Sequence, residues 1–198
     1  MDNKTIAAFD FDGTLTTKDT FLEFIRFAKG NAKAYFGFLL YAPMIALIYM
    51  RIMDNSRCKE ILLSYFFKGM PYETFKELGS KFASRYAKIQ NPATNVILRQ
   101  HLDRGDKVYI VSASIDDWVR PIGMSLGVSD VLCTKMAVDA AGRLTGRFST
   151  PNCYGKEKVR RLSAAEPDRV SYTLYAYGDS KGDDALLAFA DHPTKIKS

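Results

Sequence analysis

A chain of 198 residues, 47% apolar and 25% charged, has the size and composition of one domain with a sizeable core and room for an inserted subdomain. Its three cysteines, Cys58, Cys133 and Cys153, are an odd number without metal-ligand spacing, which argues against a disulfide framework and for buried thiols in a reducing cytoplasm. The net charge of +6 is spread along the chain; this is a weak footprint for nucleic acid and suits an anionic substrate or an anionic membrane. Little precedes the first apolar run, so no signal peptide is expected.

That first run, Ile6-Ala7-Ala8-Phe9, is too short for a helix and reads as a buried strand. It ends in Asp10-Phe11-Asp12-Gly13-Thr14, two carboxylates spaced two apart ahead of a glycine that permits a sharp turn. In a parallel sheet ligands gather at the carboxyl ends of the strands, which is where Asp10 falls. Two such acids can divide labour, one attacking as a nucleophile and the other moving protons, with a divalent cation offsetting their repulsion.

A helical block follows. Asp19 is placed to cap a helix carrying Phe21, Phe24 and Ile25 and stopped by Gly30, and Asn31 opens the next. From Ala34 to Met50 the sequence holds no charge, falls short of a membrane span and is interrupted by Pro43. It reads either as buried helical pieces or as an apolar surface that meets a bilayer or an acyl chain. Further helices are expected from Asn55 or Ser56 to Gly69, from Pro71 through Tyr86, and from about Ala93 to Leu102.

Strands return at Lys107 to Ser112, Val131 to Thr134 and Ser171 to Tyr177, separated by helices that start near Asp116 and at Gly155. Met136 to Asp139 and Leu144 to Phe148 read as a small antiparallel hairpin. The last strand of the three ends in Gly178-Asp179-Ser180-Lys181-Gly182-Asp183, followed by a helix with Leu186 and Leu187. The alternation predicts an α/β fold: a doubly wound, Rossmann-like parallel sheet core formed by residues 1–16 and 92–198, with an inserted α-helical cap subdomain over 17–91.

The four stretches that carry chemistry all fall at strand ends or helix starts. Together they resemble the motifs of the haloacid dehalogenase superfamily: Asp10-Phe11-Asp12-Gly13-Thr14 the first, the strand ending in Ser112 the second, a lysine of Gly155-Lys156-Glu157-Lys158-Val159 the third, and Gly178 to Asp183 the fourth. The insert after the first motif is similar to the helical cap of the phosphoserine-phosphatase-like branch, subfamily IB. The resemblance implies that Asp10 attacks phosphorus and becomes an aspartyl-phosphate while Asp12 serves as general acid and base. It implies Mg²⁺ held by Asp10, the Asp12 carbonyl, Asp179 and Asp183, and phosphate bound by Ser112 and the Ala113 N–H. The third motif fits Lys156 in phosphoserine phosphatases and Lys158 in a Cys-x-Gly-x-x-Lys-Val pattern; we lean to Lys158. Asp19 matches the acid that contacts a substrate amine, and is equally a helix cap. Arg51, Arg57 and Lys59 are read as a solvated surface or as a site for an anionic head group.

The apolar run with Pro43 and the Cys153 pattern are similar to phosphatidylglycerophosphatase C-like proteins, which implies a phospholipid head-group phosphate as substrate and peripheral membrane contact through 34–50. A cytoplasmic phosphatase for a soluble metabolite such as phosphoserine is the alternative. Others are a phosphotransferase or phosphomutase and a non-catalytic phosphate- or metal-binding module, the last disfavoured because no essential acid is missing. No protein partner is inferred. Asp191 to Ser198 resembles the start of a last, short strand, with His192 read as a loop residue.

Overall fold

The computed structural model describes residues 4–43 and 55–197. Five parallel strands form one sheet in the order β3-β2-β1-β6-β7: β1 Lys4–Phe9, β2 Lys107–Ile115, β3 Asp130–Thr134, β6 Tyr172–Gly178 and β7 His192–Lys195. A separate antiparallel hairpin joins β4 Met136–Val138 to β5 Leu144–Phe148. The central strand β1 reads as an unbroken apolar run because both faces of a parallel sheet are covered. Ala7, Phe9, Val108 and Ile110 face one apolar cluster, while Ile6, Ala8, Tyr109 and Val111 face the other, as the two-residue period of a strand requires.

Among the described residues the helices are α1 Thr20–Lys29, α2 Asn31–Leu40, α3 Asn55–Phe67, α4 Tyr72–Ala83, α5 Tyr86–Ile89, α6 Pro92–Asp103, α7 Asp116–Leu126, α8 Lys156–Ala165 and α9 Asp184–Phe189. Asp19 caps α1 by accepting from the amides of Phe21 and Leu22, and Gly127 closes α7 in the left-handed conformation, φ 86°. The short α5 carries no sequence signal of its own; Tyr86 sits there because its hydroxyl reaches Asn95 at 2.6 Å. Arg51 and residues 44–50 of the apolar run lie outside the described residues. The expectation of a loop at His192 fails: it opens β7, whose pairing with β6 sets Tyr175 beside it, and the two rings stack at 4.4 Å.

Residues 17–91 leave and re-enter the sheet layer side by side. The Thr17 amide donates to the Ile89 carbonyl at 2.7 Å and the Asn91 amide to Leu15 at 2.8 Å. The helices of this insert share an apolar cluster with one face of the sheet. Its hub is Phe24 of α1, stacked on Trp118 of α7 at 4.4 Å and edge-on to Phe75 and Phe82. Burying rings of this size stabilises by about 1.5–3 kcal/mol each, so the insert is held over the strand ends by packing and not by its two connections alone.

Candidate active site

Register brings the site together. Phe9 lies opposite Ile110 on one side and Tyr177 on the other. One step beyond, Asp10 therefore stands level with the residues that precede Ser112 and Asp179, and its amide donates to the Tyr177 carbonyl at 2.9 Å. The chain then turns sharply: Gly13 adopts φ 76° and the Thr16 amide closes the turn onto the Phe11 carbonyl at 3.0 Å. The turn passes so close to β6 that a Cβ on Gly13 would lie 2.4 Å from an oxygen of Asp179. Gly13→Ala is therefore expected to cost about 1–3 kcal/mol from backbone strain alone and to push Asp179 from its place. Chemical denaturation and turnover measured on the same sample check it; parental stability with parental turnover refutes it.

Asp10, Asp12, Asp19, Ser112, Ala113, Lys158 and Asp179 line one cleft of about 450 Å³, together with Lys18, Lys59, Tyr154 and Gly182. Asp183 lies fully buried behind it. The Lys158 ammonium donates to Asp10 Oδ1 at 2.6 Å and to Asp183. The second Asp183 oxygen accepts from the Ser180 amide at 3.0 Å and hydroxyl at 2.8 Å. Among the described residues, Asp10 Oδ2 has no hydrogen-bond donor. One oxygen of the nucleophile candidate is thus pinned and the other is left to the cleft.

The charges are out of balance. Three carboxylates, Asp10, Asp179 and Asp183, place one oxygen each within 4.8 Å of the others, and among the described residues one ammonium, that of Lys158, forms ion pairs with them. Burial, with Asp183 and Asp12 adding, pushes the Asp10 carboxyl from 3.8 up to about 7 against the pull of Lys158. Asp179 is raised by burial and by Asp183. Burial works to lower Lys158, but Asp10 and Asp183 override it and hold the ammonium above its ordinary value; Asp183 is correspondingly held low by Lys158 against its own burial. Hard oxygen donors carrying excess negative charge are what a small divalent cation takes, so the residues fit Mg²⁺.

Asp12, on the same cleft, is held by a different set of donors. One carboxylate oxygen accepts from the Thr20 amide at 2.7 Å and from its hydroxyl, and the other accepts from Ser114. Trp118 Nε1 in turn donates to Thr20 Oγ1 at 3.2 Å. The first residue of the insert's first helix therefore orients this acid.

The structure separates two sets of candidates that the sequence left together. Lys156 is exposed and outside the cleft, whereas Lys158 is 1% exposed: two steps along a helix rotate a side chain by about 200°, so only one of the pair faces the carboxylates. By the same rotation Arg57 is exposed, and Lys59 enters the cleft, donating to the Ala113 carbonyl at 3.3 Å. Sequence reasoning missed Thr14, which donates to Asp179 at 3.2 Å, and also Ser114 and Thr20. Ser114 had a signal, since it follows Ser112 by the strand period of two; Thr20 had none.

Carboxylates and a lysine converge at the strand ends of a parallel α/β sheet, an arrangement suited to a hydrolase. The chain belongs to the haloacid dehalogenase-like hydrolase family, whose sequence pattern matches residues 7–188. It is 35% identical over 188 residues to protein CicA of Caulobacter vibrioides, covering 94% of this chain and 83% of that one. It is 27% identical over 207 residues to a probable phosphatase of Mycobacterium tuberculosis, covering 98% and 69%. In three dimensions it is similar to a phospho-aspartyl intermediate analogue of phosphoserine phosphatase, with a TM-score of 0.65 and 20% identity over 99% of this chain and 87% of that one.

Proposed function

We propose that the protein is a Mg²⁺-dependent phosphomonoesterase that works through an aspartyl-phosphate on Asp10. The observation that carries this is the state of Asp10: one oxygen is held by Lys158, the other has no hydrogen-bond donor among the described residues, and the residue lines a cleft with Ser112 and Ala113. In this reading Asp10 Oδ2 attacks phosphorus as the ester oxygen leaves, Asp12 protonates that oxygen, and Asp12 then takes a proton from the water that releases phosphate. Ser112 and the Ala113 amide bind the phosphoryl oxygens, and Lys158 neutralises charge between Asp10 and Asp183. Asp10, Asp179 and the Asp12 carbonyl would hold Mg²⁺, with Asp183 behind them, and the ion would supply charge stabilisation to the transferring group.

In this reading the leaving group would meet Lys18, Asp19 and Lys59, which suits a polar group. A phospholipid head-group phosphate, such as that of phosphatidylglycerophosphate, is our first reading. A soluble ester such as phosphoserine is the second, favoured by an acid, Asp19, lining the same cleft as Lys18 and Lys59.

The test is acid quenching during turnover with ³²P-labelled ester in the presence of Mg²⁺. We expect label on the peptide containing Asp10, lost on adding a chelator. Turnover with no label on that peptide, and no label trapped in Asp12→Asn, would refute the covalent route. Release of phosphate from phosphatidylglycerophosphate and from phosphoserine, compared by kcat/KM, decides between the substrates.

A further inference from the structure

The α2 helix divides its apolar residues between two faces. Ala34 and Gly37 are buried, a Cβ on Gly37 would lie 2.3 Å from the ring of Phe66 in α3, and Phe38 is half-buried with its ring 6.0 Å from that of Phe66. Four other large apolar residues point outward, with Tyr35 58%, Phe36 63%, Leu39 74% and Leu40 54% exposed. At about 100° per residue these four positions form one stripe. A soluble monomer rarely leaves so contiguous an apolar face uncovered.

The border of the stripe is cationic. Lys29 and Lys33 line a groove of about 450 Å³ with Phe36, Tyr65 and Phe66, and neither lysine has an ion-pair partner among the described residues. Burial and the nearby Lys33 lower the Lys29 ammonium. From Phe24 to Pro43 the sequence carries Arg26, Lys29 and Lys33 and no acid. The Lys29 ammonium lies over the Phe67 ring at 4.7 Å, and cations without a carboxylate partner flanking an outward apolar stripe are complementary to a surface with anionic heads over hydrocarbon.

We propose that this face of α2 docks the protein on an anionic lipid bilayer, with Phe36, Leu39 and Leu40 entering the acyl region and Lys29 and Lys33 meeting the head groups. Among the described residues no helix is long and apolar enough to cross a membrane, so the contact is peripheral. The face connects to the cleft through α3: Phe66 beneath α2 and Lys59 in the cleft are about 10 Å apart along that helix. The proposal stands apart from the chemistry at Asp10.

Flotation of the full chain with vesicles tests it. With equal parts phosphatidylcholine and phosphatidylglycerol we expect the chain to float, and with phosphatidylcholine alone to float far less. The double variant Phe36→Ser, Leu39→Ser should lose about tenfold or more of the bound fraction. Lys29→Gln with Lys33→Gln, which also removes the Lys29 ammonium from over the Phe67 ring, should lose most of the preference for anionic vesicles and most of its salt sensitivity while keeping the parental melting profile within a few degrees. A parent chain that stays at the bottom of the gradient with both vesicles overturns the proposal, as does undiminished flotation of either double variant. So does a parent that sediments as a dimer without floating and that Phe36→Ser, Leu39→Ser turns into a monomer, because the occupant is then a second copy. Hydrolysis of p-nitrophenyl phosphate by the same samples reads the phosphatase proposal separately.

Discussion

Asp10→Asn is expected to abolish hydrolysis and, in the metal-free protein at pH 8, to raise stability by about 1–3 kcal/mol. The sign follows from burial. The folded protein holds the Asp10 proton up to about pH 7, whereas the ordinary value is 3.8. Between those values the folded state binds more protons than the unfolded state, so stability falls as pH rises, and above pH 7 the whole cost is present. Asparagine keeps an oxygen for Lys158 and carries no charge, so the variant escapes the cost. Thermal melts with a chelator at pH 5 and pH 8 should show the parent losing stability toward pH 8 and the variant changing less. Mg²⁺ should stabilise the parent at pH 8 much more than the variant, since the cation offsets the same excess charge. A variant that melts below the parent at pH 8 in chelator would mean that the carboxylates are already balanced without a metal.

Lys158→Met has the opposite effect. The ammonium lies between Asp10 and Asp183, and all three side chains are buried. Removing it leaves two carboxylates facing each other without a counter-ion, a change that costs about 3–5 kcal/mol when one partner of a buried pair is deleted. Urea denaturation in chelator should show that loss, and turnover should vanish even where Mg²⁺ restores the fold. Adding Asp10→Asn to Lys158→Met should return part of the stability and none of the activity, because it removes one of the stranded charges. Lys156→Met is the control: its exposed side chain should change stability by about 0.5 kcal/mol or less and leave turnover intact. If Lys156→Met abolished turnover and Lys158→Met did not, the choice between the lysines would be reversed.

Much of this molecule is legible in its residue pattern. Apolar runs bounded by glycine and acids locate β1, β2, β3 and β6 to within a few residues, because a strand buried on both faces has little choice but Val, Ile, Leu, Ala and aromatic residues. The acids at the ends of β1 and β6 are readable for the same reason: a parallel sheet puts the residue after each strand on one edge. Periodicity is less informative for the insert. The uncharged run after Ala34 fits a buried helix and a surface helix equally, since residue type records apolarity and not what covers it.

Sequence by itself determined the open parallel sheet, and it singled out Asp10, Asp12, Asp179 and Asp183 as candidates, of which Asp10, Asp179 and Asp183 bring oxygens within 4.8 Å of one another. Local pattern suffices there, because strand register and chain direction carry those residues to one edge. Tertiary structure decided which of two lysines is buried, which of Arg57 and Lys59 enters the cleft, and that Thr20 and Ser114 hold Asp12. Each of these depends on how a helix is rotated about its axis or on a contact between distant segments. Such choices are made by packing across the whole cluster around Phe24 and Trp118, and no short stretch of sequence contains that information.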